Sequence, residues 1–271
     1  MNENASSSES TLERLIRILE SFDTGRTSLS VAALSRRARL PTPTAYRWVE
    51  RLVDTGLLQR NDDGTVSPGM RLWELGARSA PSMTLRDVAM PFMDDVQGVL
   101  RQHTQLAVLD SEGVLILHRL SAHGAVANRA IVAGRLPTFT TSLGLVLLAF
   151  SPAHISNPFI ESHRAELGRR LRWGSSSEGS ARDVVNPTER ELRRQLAQAR
   201  QAGFASSDGN IDAETTGVAV PVSVPRSEIT AALGVVVPRG SDVAPGLAPM
   251  LLAASRGISR AMPTDATLLT E

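Results

Sequence analysis

The sequence predicts an α+β chain of two domains, on three observations. At 271 residues it is long for one compact unit and comfortable for two. Between Ser30 and Gly69 two short helical stretches meet across a tight turn and run into a small hairpin. Beyond Gln105 the texture changes to strands, then helices, then strands again, the pattern of an antiparallel sheet with helices on its faces.

The elements can be justified in order. Residues 1–9 lack both a basic start and an apolar stretch; they read as a disordered tail, not a secretion signal. Ser10 and Glu13 have capping-box spacing, and Leu12, Leu15, Ile16, Leu19 and Phe22 then give a first helix an apolar face, with Gly25 as its stop. Ser30 caps Val31–Ala38, which buries Val31 and Leu34. After the Arg39-Leu40-Pro41 turn, Thr42 stands where an N-cap belongs, with Pro43 at the first helical position. The helix that follows, to Asp54, groups Ala45, Trp48, Val49, Leu52 and Val53 on one face and leaves Thr44, Arg47 and Arg51 on the other. Asp63-Gly64, between Leu57-Leu58 and Val66, marks a hairpin. Helix, turn, helix and hairpin make a winged helix-turn-helix over residues 10–78, whose expected partner is double-stranded DNA.

Charge distribution agrees. The net charge is +1 and every basic residue is arginine. From Leu34 to Arg60 six arginines face only Glu50 and Asp54, a local +4, whereas from Ser79 onward eighteen arginines balance eighteen acids. A basic patch on an otherwise neutral chain is the footprint of phosphate contact. The candidate DNA-binding residues are Arg36, Arg37, Arg39, Thr42, Thr44, Tyr46, Arg47, Arg51 and Arg60, since guanidinium groups reach guanine or phosphate and hydroxyls reach phosphate or base edges. Each has a structural alternative. Thr42 could serve only as a cap, Tyr46 could flank the core, Arg51 could pair with Glu50 or Asp54, and Arg47 could pair with Glu50. Asp62-Asp63 at the hairpin tip repels phosphate, so the tip itself is not expected to insert.

Met70–Gly76 reads as a short closing helix, interrupted by Pro81-Ser82. A linker helix over 79–103 follows, its apolar positions Leu85, Val88, Ala89, Phe92, Met93, Val96, Val99 and Leu100 in helical spacing and Pro91 a kink or restart. That stripe could make a dimer contact or pack on the domain that follows. In residues 104–271, Gln105–Leu109 and Val114–Leu120 form strands around an Asp110–Gly113 turn, with a further strand at 126–132. Ser142–Phe150 is a buried helix, and 174–180 a flexible loop. A capped helix runs through Leu192 and Leu196 to Ala202 and stops at Gly203, strands cover 218–224 and 229–237, and a last helix covers 245–261.

Several chemistries lack their residues. Cysteine is absent, which removes disulfides, thiolate metal sites and cysteine nucleophiles. His118 and His123 lack a third ligand at metal spacing, and Asp208-Gly209-Asn210-Ile211-Asp212 starts like a calcium loop but reaches Ala219 where glutamate is required. No Gly-x-Ser-x-Gly elbow or phosphate-cradling glycine loop is present, and no apolar run is long enough to span a bilayer. The reading is a cytoplasmic chain with no catalytic residues, metal, cofactor or membrane contact, and not an enzyme. The competing reading is a sensor or enzyme-like domain whose N-terminal unit serves dimerisation or protein contact.

Along nearly its whole length the chain resembles the IclR-type bacterial transcriptional regulators. The resemblance lies in Leu12–Glu20, Leu40–Arg47, Leu52–Leu58, Gly134–Pro137 with Thr141–Ala149, Gly203–Ser206 and Val218–Val222. It implies a winged helix-turn-helix, a linker helix and a GAF-like effector-binding domain, in homodimers or tetramers on palindromic operators. It also implies a small-molecule effector of unknown identity, bound near Ser142, Leu143, Ser207, Asp208, Gly217, Gly234 and Val236. The chain departs from the family at Leu145, usually lysine, and near Asn210 and Glu214, where glutamate and glycine are usual. It departs again at Gly217, Gly234 and Val236, where members that bind small acids carry cysteine, serine or other polar groups. The expectation is a bulkier or less polar ligand, or none. Alternatively, these residues only pack the sheet.

Overall fold

The structure, a computed structural model, describes residues 10–22, 26–78, 80–126, 128, 130–173, 182–224, 230–240 and 244–263. The expected tail, the Gly25 stop, the 174–180 loop and the start of a strand at Ile229 lie outside these residues. The chain divides into Met1–Ala80 and Pro81–Glu271. No described helix is long and apolar enough to cross a membrane.

In the first unit, α1 (Thr11–Leu19) begins with the capping box: Glu13 N–H donates to Ser10 Oγ at 3.1 Å and Ser10 N–H to Glu13 Oε2 at 2.7 Å. It ends at Glu20, ahead of Gly25, and the side chain it buries fully is Ile18, while Leu12 and Ile16 stay exposed. Of the expected apolar face, Leu15, Leu19 and Phe22 pack against the core of this unit, and Leu12 and Ile16 do not. Helix α2 (Val31–Arg37) is capped by Ser30, whose Oγ accepts from Ala33 N–H at 3.2 Å. Arg39 takes the turn with φ 52°, and Ser35 Oγ donates to Leu40 O at 2.8 Å, closing it.

Helix α3 (Thr42–Asp54) corrects the expected cap. Pro41 is the N-cap and offers no side-chain bond; Thr42 is already helical, its hydroxyl 3.2 Å from Ser35 Oγ. The turn is therefore tied across to α2 instead of along α3. Ala45, Trp48, Val49 and Leu52 join Ile18, Leu34, Leu58 and Val66 in one core. Strands β1 (Leu58–Arg60) and β2 (Val66–Pro68) pair antiparallel, and Leu29 bridges to Val66, adding a third short partner. Helix α4 (Met70–Ala77) follows, with Met70 and Trp73 largely exposed.

The second unit opens with α5 (Ala80–Leu100), one helix that carries Pro81 in its first turn, where proline is tolerated, and Pro91 within. Pro81 therefore begins this helix instead of interrupting the chain. Helix α5 stops before His103, which opens β3 (His103–Asp110), so the helix expected to reach residue 103 is shorter. Strand β4 (Gly113–Leu120) returns antiparallel to β3. The described residues of the expected strand at 126–132, which exclude 127 and 129, are not in a strand; β5 is the two-residue Arg135–Leu136. Then come α6 (Ser142–Phe150), α7 (Ala153–Ser162), the hairpin β6 (Arg170–Trp173) and β7 (Arg182–Val185), and α8 (Glu189–Ala202). Helix α8 has a Thr188–Glu191 capping box and ends at Gly203 with φ 80°. Strands β8 (Ala205–Asp208), β9 (Thr215–Ser223) and β10 (Thr230–Pro238) precede α9 (Ala244–Ala261).

Six strands form one antiparallel sheet in the order β5-β4-β3-β10-β9-β8. Its two faces carry two cores, as alternation along each strand requires. Leu106, Val108, Val220, Leu233 and Val235 meet Leu85, Ala89, Met93 and Val96 of α5 and Leu247, Leu251 and Ile258 of α9. Ala107, Ile116, Ala219 and Ala232 meet α6 and Leu192 and Leu196 of α8. Of the two readings of the α5 stripe, burial within its own unit is the one observed for these four residues, while Val99 remains exposed.

Candidate functional site

In the first unit the candidate residues surround α3. Trp48 is buried to 9% exposure, and its ring is shared by two cations. The guanidinium carbons of Arg47 and Arg51 lie 5.5 and 5.1 Å from its centroid. One aromatic side chain thus anchors the helix in the core and supports two exposed arginines. Arg36, Arg37, Arg39, Thr42 and Tyr46 are also exposed, and Thr44 is half-buried. Tyr46, which could have flanked the core, is 48% exposed. Glu50 does not take Arg47 or Arg51 as its salt-bridge partner; it pairs with Arg60 of the wing, whose Nη1 also donates to Gly64 O at 3.5 Å. Arg60 is therefore engaged within the fold. At the wing tip, Asp63 accepts from Thr65 Oγ1 at 2.5 Å and Thr65 N–H at 2.9 Å, and these bonds hold its carboxyl below the usual range.

The second unit holds a cavity of about 60 Å³, counted as space open to the centre of a water molecule. That is several times the roughly 10–15 Å³ one water needs on this measure. Its floor is the sheet face of β3, β10 and β9, where Gln105, Val236 and Gly217 stand on the same side as Ala107. Its roof is the start of α6: Thr141, which caps the helix by accepting from Gly144 N–H at 3.2 Å, then Ser142 and Leu143. Asn128 and Ala130 close the β4 side, and Ser207, Asn210, Asp212 and Thr215 the β8–β9 side.

Five of the seven residues expected at an effector site line this cavity: Ser142, Leu143, Ser207, Gly217 and Val236. Asp208 and Gly234 are not among its lining. Asp208 is exposed and accepts from Thr216 Oγ1 at 2.5 Å, because its strand position turns it to solvent. Gly234 lies under Leu143: a Cβ there would stand 2.9 Å from Leu143 Cδ2. At Gly217 a Cβ would stand 2.8 Å from Ser142 Oγ. The space at Gly234 is thus taken by Leu143 of α6, while Gly217, beside Ser142, still borders the cavity.

Other polar groups stand in the cavity wall, beside the apolar Leu143, Gly217 and Val236. Gln105, 2% exposed, has its Nε2 buried without a hydrogen-bond partner, and so has Asn128 at Nδ2. Asn128 Oδ1 accepts from Ala130 N–H at 2.9 Å, so its unpartnered end is a donor. Ser207 is already engaged: its Oγ donates to Thr140 O at 2.8 Å and lies 3.2 Å from Asn210 Nδ2. The signal that could have found Gln105 was a lone amide in the inward register of an apolar strand. Asn128 had none, since the loop that carries it was expected to be a strand.

The chain matches two family descriptions, "IclR helix-turn-helix domain" over residues 11–62 and "Bacterial transcriptional regulator IclR C-terminal" over 77–260. A solved IclR homologue from Microbacterium hydrocarbonoxydans, complexed with 4-hydroxybenzoate, is 41% identical with a TM-score of 0.78, covering 93% of this chain and 99% of that one. An IclR homologue from Microbacterium sp. strain HM58-2 is 39% identical with a TM-score of 0.55, over 93% of this chain and 97% of that one. The Pca regulon regulatory protein of Pseudomonas putida is 26% identical over 91% of this chain and 82% of its own length.

Proposed function

The chain belongs to the IclR family of bacterial transcriptional regulators, and from that premise we propose how its residues divide the work. It is a sequence-specific DNA-binding regulator whose operator binding responds to a small molecule in the C-terminal domain. Arg47 and Arg51 read or clamp the duplex from α3, with Arg36, Arg37, Arg39, Thr42, Thr44 and Tyr46 contacting the flanking backbone. Arg60 steadies the wing and reaches phosphate when its pair with Glu50 opens. The observation that carries this reading is the buried Trp48 ring beneath two exposed guanidinium groups, one side of α3 committed to the core and the other open to a polyanion.

The protein acts in the cytoplasm as a homodimer or a pair of dimers on a palindromic operator, with recognition helices about 34 Å apart or a multiple of that. The exposed Leu12, Ile16, Met70 and Trp73 support self-association. The effector is a small ring-bearing carboxylic acid, as in the 4-hydroxybenzoate complex of the Microbacterium hydrocarbonoxydans homologue. Leu136, Leu143 and Val236 offer it an apolar bed.

Footprinting on the DNA adjoining the gene, with and without 4-hydroxybenzoate, tests this. The expected result is a protected palindrome, altered by the acid, with affinity that falls steeply with salt. Binding without sequence preference defeats the DNA reading, and a footprint indifferent to aromatic acids defeats the effector class.

A further inference from the structure

We propose that the side-chain amides of Gln105 and Asn128 hold the effector's carboxylate, so that this chain recognises an organic acid with neutral amide donors from the β3–β4 side of its cavity. The inference deepens the effector-cavity reading above and rests on it.

Three observations lead here. First, Gln105 Nε2 and Asn128 Nδ2 are both buried, both lack a hydrogen-bond partner, and belong to two residues from separate elements that border one cavity. A buried amide N–H without an acceptor is costly, and two around a single space call for a ligand rich in acceptors. A carboxylate suits them: it is planar, its two oxygens carry about four lone-pair sites, and it needs only donors. Second, both residues are held in place. Gln105 sits in the middle of the sheet, in register with Gly234 on β10 and Arg119 on β4. Asn128 is fixed by its own Oδ1 bond to Ala130 N–H, while Arg119 donates to the carbonyls of Asn128, at 3.4 Å, and Ala130. Third, Asp212 borders the cavity from the β8–β9 side, at the other end of the strand order. Its Oδ1 accepts from Glu214 N–H at 3.1 Å, so the Asp212 side chain meets a carboxylate there with acceptors, not donors. The ring then lies along Leu143 and Val236, with its far edge toward Thr215 and Asp212.

The test is calorimetric titration of the full chain with 4-hydroxybenzoate and with its neutral analogue 4-hydroxybenzamide. Wild type is expected to favour the acid by at least about tenfold. Gln105→Glu, which keeps the shape and replaces a donor with an acceptor, is expected to weaken acid binding by about tenfold or more and to reverse the preference toward the amide. Asn128→Asp, at a half-buried position, is expected to do the same and carries the test should Gln105→Glu not fold by circular dichroism. A merely structural role would weaken both ligands together. Equal binding of the acid by wild type and both variants overturns the inference and leaves the cavity reading intact, as does a wild-type preference for the amide. If wild type binds neither compound, the ring-acid reading fails and the inference falls with it.

Discussion

Glu50 of α3 and Arg60 of β1 form an ion pair that ties the recognition helix to the wing. The two side chains are 55% and 39% exposed, so the pair contributes only about 0–1 kcal/mol to stability. Its larger effect is electrostatic, because it neutralises one arginine beside the surface proposed to meet DNA. Glu50→Ala is expected to leave the thermal midpoint almost unchanged and to steepen the salt dependence of operator binding by up to about one phosphate contact per subunit. Titration across a salt series measures it. A shallower slope would show that Arg60 needs Glu50 to hold it in position.

Arg47→Ala is expected to weaken operator binding by about 1–3 kcal/mol if Arg47 contacts a base, with discrimination relaxed at one operator position. A phosphate contact would instead lower affinity evenly across sequences. Its guanidinium rests on Trp48 with Arg51, so the double variant is expected to lose less than the sum of the two single losses. Gel-shift affinity unchanged in a folded Arg47→Ala protein would remove it from the interface.

Gly144→Ala and Gly217→Ala should separate a packing requirement from a cavity requirement. At Gly144 a Cβ would fall 2.0 Å from Thr138 O, a backbone atom that cannot give way without moving the turn that leads into α6. Overpacking of this kind costs about 1–3 kcal/mol or more, which denaturant unfolding would register. At Gly217 the obstacle is the Ser142 hydroxyl at 2.8 Å, which can rotate, so the stability loss is smaller while effector affinity changes. Equal destabilisation by the two would contradict this assignment of the walls.

Acidification should destabilise the second unit through His103. Burial holds this imidazole below its ordinary value of 6.5, with Arg119 pushing the same way and the Val126 carbonyl, 2.5 Å from Nε2, pulling against them. A folded value below the unfolded one means both states are neutral above about pH 6.5, where the group has no effect. As pH falls through that value the unfolded chain takes up the proton first, and stability is lost until the folded group also titrates. His118 shifts in the same direction, through burial and then Arg86. The urea midpoint is expected to fall between about pH 7.5 and about pH 5.5, and His103→Gln to remove part of that slope. A midpoint that rises on acidification would reverse the sign of this argument.

Legibility in the sequence followed the range of the interaction involved. Ser10 with Glu13, Ser30 with Ala33, and Gly203 after α8 are settled within four residues, and their helices stand where the periodicity put them. Thr42 misled because its hydroxyl bonds Ser35, seven residues back, instead of capping its own helix. The 126–132 segment reads as a strand by composition, yet its described residues are in no strand, and Val126 and Asn128 are held by Gln102, His103 and Arg119 reaching from elsewhere.

The amino-acid sequence by itself determined that this protein has a winged DNA-binding head and an antiparallel-sheet domain. Caps, turn residues, alternation and local charge act over a few positions and do not wait for the rest of the chain. Only the tertiary structure decided what the cavity is made of. Its walls bring Gln105, Asn128, Ser142, Asp212 and Val236 together from five separate segments, through strand register and the close approach of α6 over Gly217 and Gly234. No local pattern encodes that convergence, because it depends on which strands pair and on which side chains lose their hydrogen-bond partners once they do.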